Sequence, residues 1–428
     1  MPTRSTEPCS PQQIVEHVRP GADVIVPLAN GEPVALLDAL EAAAEAGQIE
    51  RVRVHQMHAL ADRRYLAGAF GDRLRHVSYF LSHATRDHYR AGTVELVPNH
   101  FSDVAQLLRE RCPDPLVIAA ASLPDRHGYF SLGTSADYAA SFIGRARFFL
   151  EANAHMPRTF GRNQLHVSQL VGWCRHDHAL ETLDIAAPGP VDGEIAALVA
   201  ERVPDGATLQ VGIGGTPNAI LAALADHRDL GIHTELISDG LVELIEAGVA
   251  NGVRKRLNRT KAVGTFALGS QRVYDFVDQN TAVELWPASY VNAPRIIGRE
   301  PGFVSINAAV EIDLLGQCAS ETIGGRYWSS SGGQADFAQG AMFSEGGMGF
   351  VVLPSTARSG AVSRIVGSFQ PATVVTTLKN TVDHVVTEWG VAELRGRTVR
   401  ERARALIAVA HPEHRDALAR QATSLGYV

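Results

Sequence analysis

Two stretches of the chain repeat the same order of elements, and this order most limits how the chain can fold. Residues 20–40 and 204–224 each contain a short apolar segment, a turn, a proline near the start of a helix, and an Ala/Leu-rich helix. Each copy leads into another short strand-like segment, at 52–56 in the first copy and at 231–235 in the second. Repeated strand–helix–strand units are typical of parallel sheets. We therefore expect two similar parallel-sheet α/β domains that arose by duplication, although two unrelated units of this common type would show the same pattern.

A turn-rich stretch separates the two halves. Residues 186–190 contain two prolines and a glycine, and a helical run follows at 193–199. Such a cluster is typical of a connection, so we place the boundary near residue 188. The first domain then covers residues 1–188 and the second covers residues 189–428. A chain of 428 residues is longer than one ordinary core requires, which agrees with two domains.

The second half contains further segments with a strand-like or helical pattern. Residues 350–354 and 372–377 are rich in valine, phenylalanine and threonine, so we expect a strand at each. Residues 400–420 are rich in alanine and arginine, and we expect the chain to end in helices there.

Composition excludes several classes of protein. The formal charge of −7 argues against nucleic acid as a partner, because phosphate binding needs a basic surface. No apolar run approaches the roughly 18 residues of a membrane span, and the first eight residues lack the apolar core of a secretory signal. The four cysteines, at positions 9, 112, 174 and 318, form no CxxC pair. We expect a cytoplasmic protein that binds neither nucleic acid nor membranes.

The histidines and serines do not form a recognised catalytic or metal-binding motif. The chain has 17 histidines, with close pairs at His55/His58, His83/His88 and His411/His414. No third ligand at metal-site spacing accompanies any of these pairs, and HExxH is absent. The Gly-x-Ser-x-Gly turn of serine hydrolases is also absent. The sequence therefore predicts no metal site.

A glycine-rich turn joins the strand and the helix of the second copy. It reads Gly212-Ile213-Gly214-Gly215-Thr216-Pro217. We expect Thr216 to be the N-cap and Pro217 the first helical residue. Backbone amides at a helix N-terminus favour anions, and glycine lets a ligand approach closely. The turn is neither a dinucleotide fingerprint nor a phosphate loop. A structural turn and a ligand-binding turn both remain open.

Glu235 lies at the end of the predicted strand 231–235. Ligand sites in parallel α/β sheets lie outside the carboxyl ends of the strands. A second glycine pair, Gly332-Gly333, precedes Asp336 and Phe337 much later in the chain. A lone carboxylate flanked by two glycine loops suits a nucleophile that attacks a thioester, because the loop amides can stabilise the developing negative charge. Spacing alone does not choose between Glu235 and four other glutamates, which are Glu311, Glu321, Glu345 and Glu388.

Ordered matches along almost the whole chain point to a known family. They are Asp125-Arg126-His127-Gly128-Tyr129-Phe130, residues 153–159, the glycine turn, His233-Thr234-Glu235, residues 305–310, Gly332-Gly333-Gln334 and Ala410-His411-Pro412. Through these segments the chain resembles the acetyl-CoA hydrolase/transferase group of class I coenzyme A transferases. The resemblance is strongest to the 4-hydroxybutyrate and butyrate–acetate CoA-transferases.

The resemblance implies that Glu235 is the nucleophile. In class I enzymes the nucleophile follows the Gly-x-Gly turn, and the double-glycine loop comes much later. Glu345 follows the double-glycine loop and is rejected on this ground. In the first half, Gln56 stands roughly where the repeat places Glu235, so that half would line the acyl side of the cleft.

The family implies a ping-pong transfer of CoA from an acyl-CoA donor to a small carboxylic acid, through a glutamyl-CoA thioester on Glu235. No metal and no cofactor would be needed besides the CoA esters, and the protein would be a homo-oligomer, a dimer or larger. Amides near Ile213 and Gly333 are expected to stabilise the oxyanion. The expected CoA-binding residues are Gly212, Ile213, Gly214, Gly215, Thr216, Val310 and Gly333, of which Val310 rests on the resemblance alone.

Two other functions remain compatible with these residues. In an acyl-CoA hydrolase, water would intercept the covalent intermediates; a non-catalytic CoA-binding protein would not need Glu235. The family includes acetate, butyrate, 4-hydroxybutyrate, succinate and itaconate as substrates. Residues 27–33 differ from the histidine-containing segment of the 4-hydroxybutyrate enzymes, which argues against that acid.

Overall fold

In the computed structural model the chain forms two compact units. One consists of Met1–Leu183 and Val263–Val291, and the other of Asp184–Ala262 and Asn292–Val428. The structure describes residues 7–183 and 187–428. Val263–Val291 thus joins the first unit, whereas the sequence assigned this segment to the second half. The boundary near residue 188 stays a prediction, and residue 186 of the turn-rich stretch lies outside the described residues. Most of the first eight residues, which the sequence analysis examined for a secretory signal, also lie outside them.

Strands outnumber α-helices in the described part of the first segment of the chain. Its strands are β1 (Asp23–Val26), β2 (Val52–Met57), β3 (Leu74–Phe80), β4 (Val94–Leu96), β5 (Leu116–Ala121), β6 (Tyr129–Ser131), β7 (Arg147–Ala152), β8 (Phe160–Gly161), β9 (Gln164–His166) and β10 (Leu170–Arg175). Its α-helices are α1 (Val34–Glu45), α2 (Arg86–Arg90) and α3 (Val104–Arg111), and short 3-10 helices cover Pro11–His17, Ala29–Gly31, Phe101–Asp103, Ala139–Phe142 and Val167–Gln169.

The remaining elements follow in chain order. Residues 187–291 contain α4 (Pro190–Ala200), β11 (Thr208–Val211), α5 (Gly215–Ala223), β12 (Gly231–Ile232), β13 (Leu236–Ile237), α6 (Asp239–Glu246), β14 (Ala262–Gly264), β15 (Phe266–Ala267), α7 (Gln271–Val277), β16 (Val283–Leu285) and α8 (Ala288–Val291). Residues 292–428 contain α9 (Pro294–Ile297), β17 (Phe303–Ala308), β18 (Glu311–Asp313), β19 (Cys318–Ala319), β20 (Thr322–Ile323), β21 (Arg326–Tyr327), α10 (Gln334–Phe343), β22 (Met348–Val352), β23 (Thr356–Ala357), β24 (Val362–Ser363), β25 (Ile365–Val366), β26 (His384–Thr387), β27 (Gly390–Glu393), α11 (Val399–Ala408) and α12 (Pro412–Ser424).

The main sheet of the first unit is parallel throughout. Its seven strands lie in the order β10-β7-β5-β1-β2-β3-β4, and every neighbouring pair is parallel. The interior strand β5, between β7 and β1, is buried along its whole length. A strand covered on both faces needs a continuous apolar run, and the sequence of β5 from Leu116 to Ala121 is such a run.

The main sheet of the second unit repeats this design with one exception. Its order is β12-β11-β17-β22-β26-β27, in which only the edge strand β27 runs antiparallel to its neighbour. The predicted helices at the end of the chain are present as α11 and α12, and their buried residues Leu406 and Leu418 share a core with Val351 and Val385. The prediction of two parallel-sheet α/β folds is confirmed.

One predicted strand is wrong and another is shorter than expected. The segment 372–377 forms no strand and makes only an isolated bridge from Thr377 to Cys318. Here threonine hydroxyls take the place of strand partners: the Ser320 amide donates to Thr376 Oγ1, and the Val374 amide donates to Thr322 Oγ1. The segment 231–235 leaves the sheet after Ile232.

Among the residues that the structure describes, no helix combines the length and the hydropathy needed to cross a membrane.

Candidate active site

Glu235 lies just beyond the carboxyl end of β12, the edge strand next to β11, and is partly buried. The side-chain amide of Asn292 donates a hydrogen bond of 2.7 Å from Nδ2 to Glu235 Oε2. The backbone amide of Gly333 donates to the same carboxylate. Removal from water raises the pKa of Glu235 to about 7; the two hydrogen bonds oppose the rise, and the negative charge of Asp336 adds to it.

The double-glycine loop can lie against Glu235 because Gly333 has no side chain. Gly333 is the N-cap of α10, with a φ of −97°. A Cβ atom on Gly333 would overlap both Glu235 Oε2 and Asn292 Nδ2. Gly332 has a φ of 55°, a conformation that glycine adopts without cost. The predicted pair of a carboxylate and a glycine loop is therefore in direct contact.

Asn292 is a site residue that the sequence analysis does not single out. It is fully buried next to α9 and lies 57 positions from Glu235 in the chain. Its Oδ1 atom is buried without a hydrogen-bond partner among the described residues. An asparagine two positions before a proline is common in turns, so the sequence offers no signal for this contact.

The glycine turn after β11 differs from its predicted form. The helix α5 begins at Gly215 with Gly214 as N-cap, so the prediction of Thr216 as N-cap is wrong. Gly214 has a φ of 131°, which only glycine tolerates, and this allows the helix to start early. The Thr216 hydroxyl instead donates to Oδ1 of Asp192 on α4.

The remaining predicted CoA-binding residues lie at strand ends of the same sheet. The Gly212 amide donates to the Ile306 carbonyl at 2.9 Å, which extends the hydrogen bonding between β11 and β17 by one residue. Ile213 has an exposed side chain. Val310 follows β17, the neighbour of β11, and its amide donates to Ala319 at 3.0 Å. In the described part of the chain no hydrogen bond joins these residues to Glu235, whereas the Gly333 amide donates to its carboxylate.

Comparison with known proteins identifies the family. The N-terminal domain model of acetyl-CoA hydrolase/transferase matches residues 6–181, and the C-terminal domain model matches residues 269–422. The chain belongs to the acetyl-CoA hydrolase/transferase family. It is similar to succinyl-CoA:cyclohexane-1-carboxylate CoA transferase of Geobacter metallireducens, with 41% identity over 98% of this chain and 96% of that protein. It is similar to 4-hydroxybutyrate coenzyme A transferase of Clostridium kluyveri, with 40% identity over 95% of each chain.

Solved structures agree with this assignment. RipA from Yersinia pestis superposes with a TM-score of 0.94 at 36% identity, over 98% of each chain. The acetyl-CoA hydrolase/transferase family model and these relatives together cover nearly the full length of the chain, so the sequence-based recognition is confirmed. The protein is an enzyme of the CoA-transferase class. The roles of individual residues remain predictions.

Two groups of side chains in the first unit of this transferase could offer three metal ligands each. Their ligand atoms lie within 4.8 Å of one another, in Asp23, His55 and Cys112 and in Glu151, His176 and His178. Burial raises the pKa of the Cys112 thiol to about 12, which disfavours the thiolate that binds metals. The Glu151 carboxylate accepts three backbone amides. The carboxylate of the second group is thus already occupied by hydrogen bonds within the protein.

The competing glutamates have other surroundings. The Glu388 carboxylate accepts both the amide and the hydroxyl of Ser355. Glu321 accepts the Ser331 hydroxyl at 3.0 Å. Glu235 differs from these two because its carboxylate receives a backbone amide from the double-glycine loop together with a buried carboxamide.

Proposed function

We propose that this transferase moves CoA from an acyl-CoA donor to a small carboxylic acid through a covalent glutamyl-CoA thioester on Glu235. The observation that carries the proposal is the contact of the Glu235 carboxylate with Asn292 and with the Gly333 amide. A raised pKa makes the ionised carboxylate more basic than that of an exposed glutamate. The carboxylate is therefore a stronger nucleophile at any pH where it is ionised.

The first half-reaction has two steps. A Glu235 oxygen attacks the carbonyl carbon of the acyl-CoA, the C–S bond breaks, and CoA leaves as a thiolate from a mixed acyl–glutamyl anhydride. The thiolate then attacks Cδ of Glu235, the bond from Cδ to the anhydride oxygen breaks, and the donor acid leaves as a carboxylate. The enzyme now carries CoA as a thioester.

The second half-reaction runs the same steps with the acceptor. Its carboxylate attacks Cδ of Glu235 and displaces the CoA thiolate, which gives a new mixed anhydride. The thiolate attacks the acceptor carbonyl and releases the Glu235 carboxylate with the new acyl-CoA. Every intermediate is an activated acyl group, so the cycle needs no ATP and no cofactor.

The amide of Gly333 has a second task in this proposal. In the resting site it donates to the Glu235 carboxylate. When a tetrahedral intermediate forms at the attacked carbon, the same N–H can donate to the oxyanion. One such donor contributes about 10²- to 10³-fold to the rate in other acyl-transfer enzymes. Residues 212–216 and Val310 are proposed to hold the CoA chain.

The acceptor is proposed only as a class. The relatives named above act on succinyl-CoA with cyclohexane-1-carboxylate and on 4-hydroxybutyrate. These acids share a carboxylate and differ in size and polarity. We propose a small organic carboxylate for this chain, and a panel of acids assayed against acetyl-CoA and succinyl-CoA would identify it.

The covalent route can be tested on the full chain without an acceptor. Incubation with acyl-CoA should load CoA onto the protein, because the cycle stops at the thioester when no carboxylate arrives. Intact-protein mass spectrometry should show the adduct, and peptide mapping should place it within residues 231–240. Hydroxylamine should remove it, and a competent acid should convert it to acyl-CoA. Normal turnover without any adduct would contradict the proposal, and steady CoA release without an acceptor would indicate a hydrolase.

A further inference from the structure

The first unit contains a cleft lined by three arginines. Its volume is about 570 Å³. Arg109 comes from α3, Arg145 follows the 3-10 helix Ala139–Phe142, and Arg162 lies between β8 and β9. We call this feature the arginine cleft. Its other lining residues are Ala140, Ser141, Ile143, Gly161, Gln164, Pro287 and Ser289.

The positive charge of the arginine cleft is not neutralised by the protein. No acidic side chain is among its lining residues. None of the three guanidinium groups makes an ion pair or a hydrogen bond with another described residue, and all three residues are exposed. By contrast, Arg64 elsewhere in this unit is paired with Glu45 at 2.9 Å. Three cations that line one cleft without an acidic lining residue attract an anion and raise its local concentration.

The wall of the cleft holds Arg162 in a defined place. Gly161 has a φ of 116°, and a Cβ atom there would overlap the backbone of Leu285, so only glycine fits where β8 pairs with β16. The Arg162 guanidinium stacks over the Trp286 ring, with its Cζ atom 4.9 Å from the ring centroid. The nearby acid Glu284 is occupied, because its carboxylate accepts the Trp286 indole N–H at 2.9 Å. The guanidinium therefore keeps all its hydrogen-bond donors for a ligand.

We propose that the arginine cleft binds a phosphate-bearing anion of nucleotide size. Arginine presents a planar fork of donors that matches phosphate oxygens two at a time. The hydroxyls of Ser141 and Ser289, 3.2 Å apart, add neutral partners on the same wall. The volume lies within the range of about 300–1,000 Å³ typical of small-molecule sites. Two sources carry this chemistry: the phosphorylated nucleotide end of CoA, or a separate phosphate compound. The anion site stands by itself, whereas its assignment to CoA rests on the proposed function.

Calorimetry on the full chain tests the site without any turnover. The probes are adenosine 3′,5′-bisphosphate and inorganic pyrophosphate, each measured at low and high salt. In the triple variant Arg109→Gln/Arg145→Gln/Arg162→Gln we expect the dissociation constant of the preferred probe to rise at least about tenfold, the usual effect of losing a charged hydrogen bond. The triple variant Arg400→Gln/Arg404→Gln/Arg420→Gln removes the same total charge from exposed positions on α11 and α12. It is the matched control and should leave binding within twofold of wild type. Circular dichroism should show equal folding of all variants.

Steady-state kinetics then separates the two sources. If the triple variant weakens binding of the bisphosphate and raises KM for acyl-CoA with kcat unchanged, the ligand is the nucleotide end of CoA. If it weakens binding of either probe and KM does not change, the ligand is a separate phosphate compound. Both results support an anion site. Equal binding by wild type and the triple variant, or no binding of either probe to wild type, overturns it. Because calorimetry requires no chemistry, this outcome is independent of whether CoA is ever found on Glu235.

Discussion

The two copies of the strand–turn–helix repeat treat the start of their helix differently. In the first copy, the Glu151 carboxylate accepts the amides of Val34, Ala35 and Leu36 and so closes the N-terminus of α1. In the second copy, α5 starts at Gly215, and its N-cap Gly214 makes no side-chain capping bond. The same scaffold therefore closes one helix end with a carboxylate of its own, whereas the other begins at a glycine turn without such a cap.

The two copies also differ at the end of the strand that follows. In the first, β2 pairs with β1 so that Val26 lies opposite Gln56. In the second, β12 pairs with β11 only as far as Ile232, which lies opposite Leu209, and Glu235 follows after the chain has left the sheet. Gln56 therefore lies inside a sheet strand, whereas Glu235 lies beyond the end of one. The approximate match of Gln56 with Glu235 stays a prediction.

The largest effect is expected from replacing Glu235, the carboxylate that only the second copy carries. Glu235→Gln should lower kcat at least about 10³-fold, because the amide cannot act as the nucleophile. The melting temperature should stay the same or rise, since burial already disfavours the charged form of Glu235. Steady-state kinetics and thermal unfolding measure the two effects. Activity close to wild type in the purified variant would remove Glu235 from the mechanism.

How far the sequence predicts this site depends on distance along the chain. The parallel sheets follow from local patterns, and the pairing of Glu235 with Gly333 follows from two motifs that the family resemblance joins. Asn292 and Asp192 were not predicted, because their contacts with Glu235 and Thr216 depend on tertiary packing. The strand expected at 372–377 is absent for a related reason. The Thr376 hydroxyl accepts from the Ser320 amide and the Val374 amide donates to the Thr322 hydroxyl, each more than fifty positions away.

The next largest effect concerns the close approach of the second glycine loop. Gly333→Val should lower kcat by about 10²- to 10³-fold, because its side chain would push the loop amide away from Glu235. Gly346→Val is a matched control in the same unit, since no atom lies within 4 Å of a Cβ at that position. Its φ of 68° is strained for valine, so it tests whether a loss of stability alone lowers activity. Equal losses of kcat in both variants would point to stability rather than to the amide.

For the first copy we expect the opposite result, a loss of stability without a loss of kcat. Glu151→Ala should lower the free energy of unfolding by about 2–3 kcal/mol, because three amides in the first turn of α1 lose their acceptor. The kcat of the folded fraction should stay close to wild type. Urea unfolding and active-site-normalised kinetics measure these two quantities. Glu151→Gln, which keeps one carbonyl oxygen, should lose less stability; a large loss of kcat in that variant would give the first copy a catalytic role.

The smallest effect concerns the ionisation of Glu235. Since the carboxylate is the reactive form, kcat/KM should fall on the acidic side of the pKa of about 7. Asp336→Asn removes a negative charge that disfavours ionisation, so the acidic limb of the pH profile should move to lower pH. Asn292→Ala removes a donor to the carboxylate, so the limb should move to higher pH. Profiles of kcat/KM between about pH 5 and 9 measure both shifts.

Because any variant that merely loosens the fold lowers the plateau without moving the limb, opposite shifts in these two variants would tie the limb to Glu235. A limb that stays in place in both would assign it to another group.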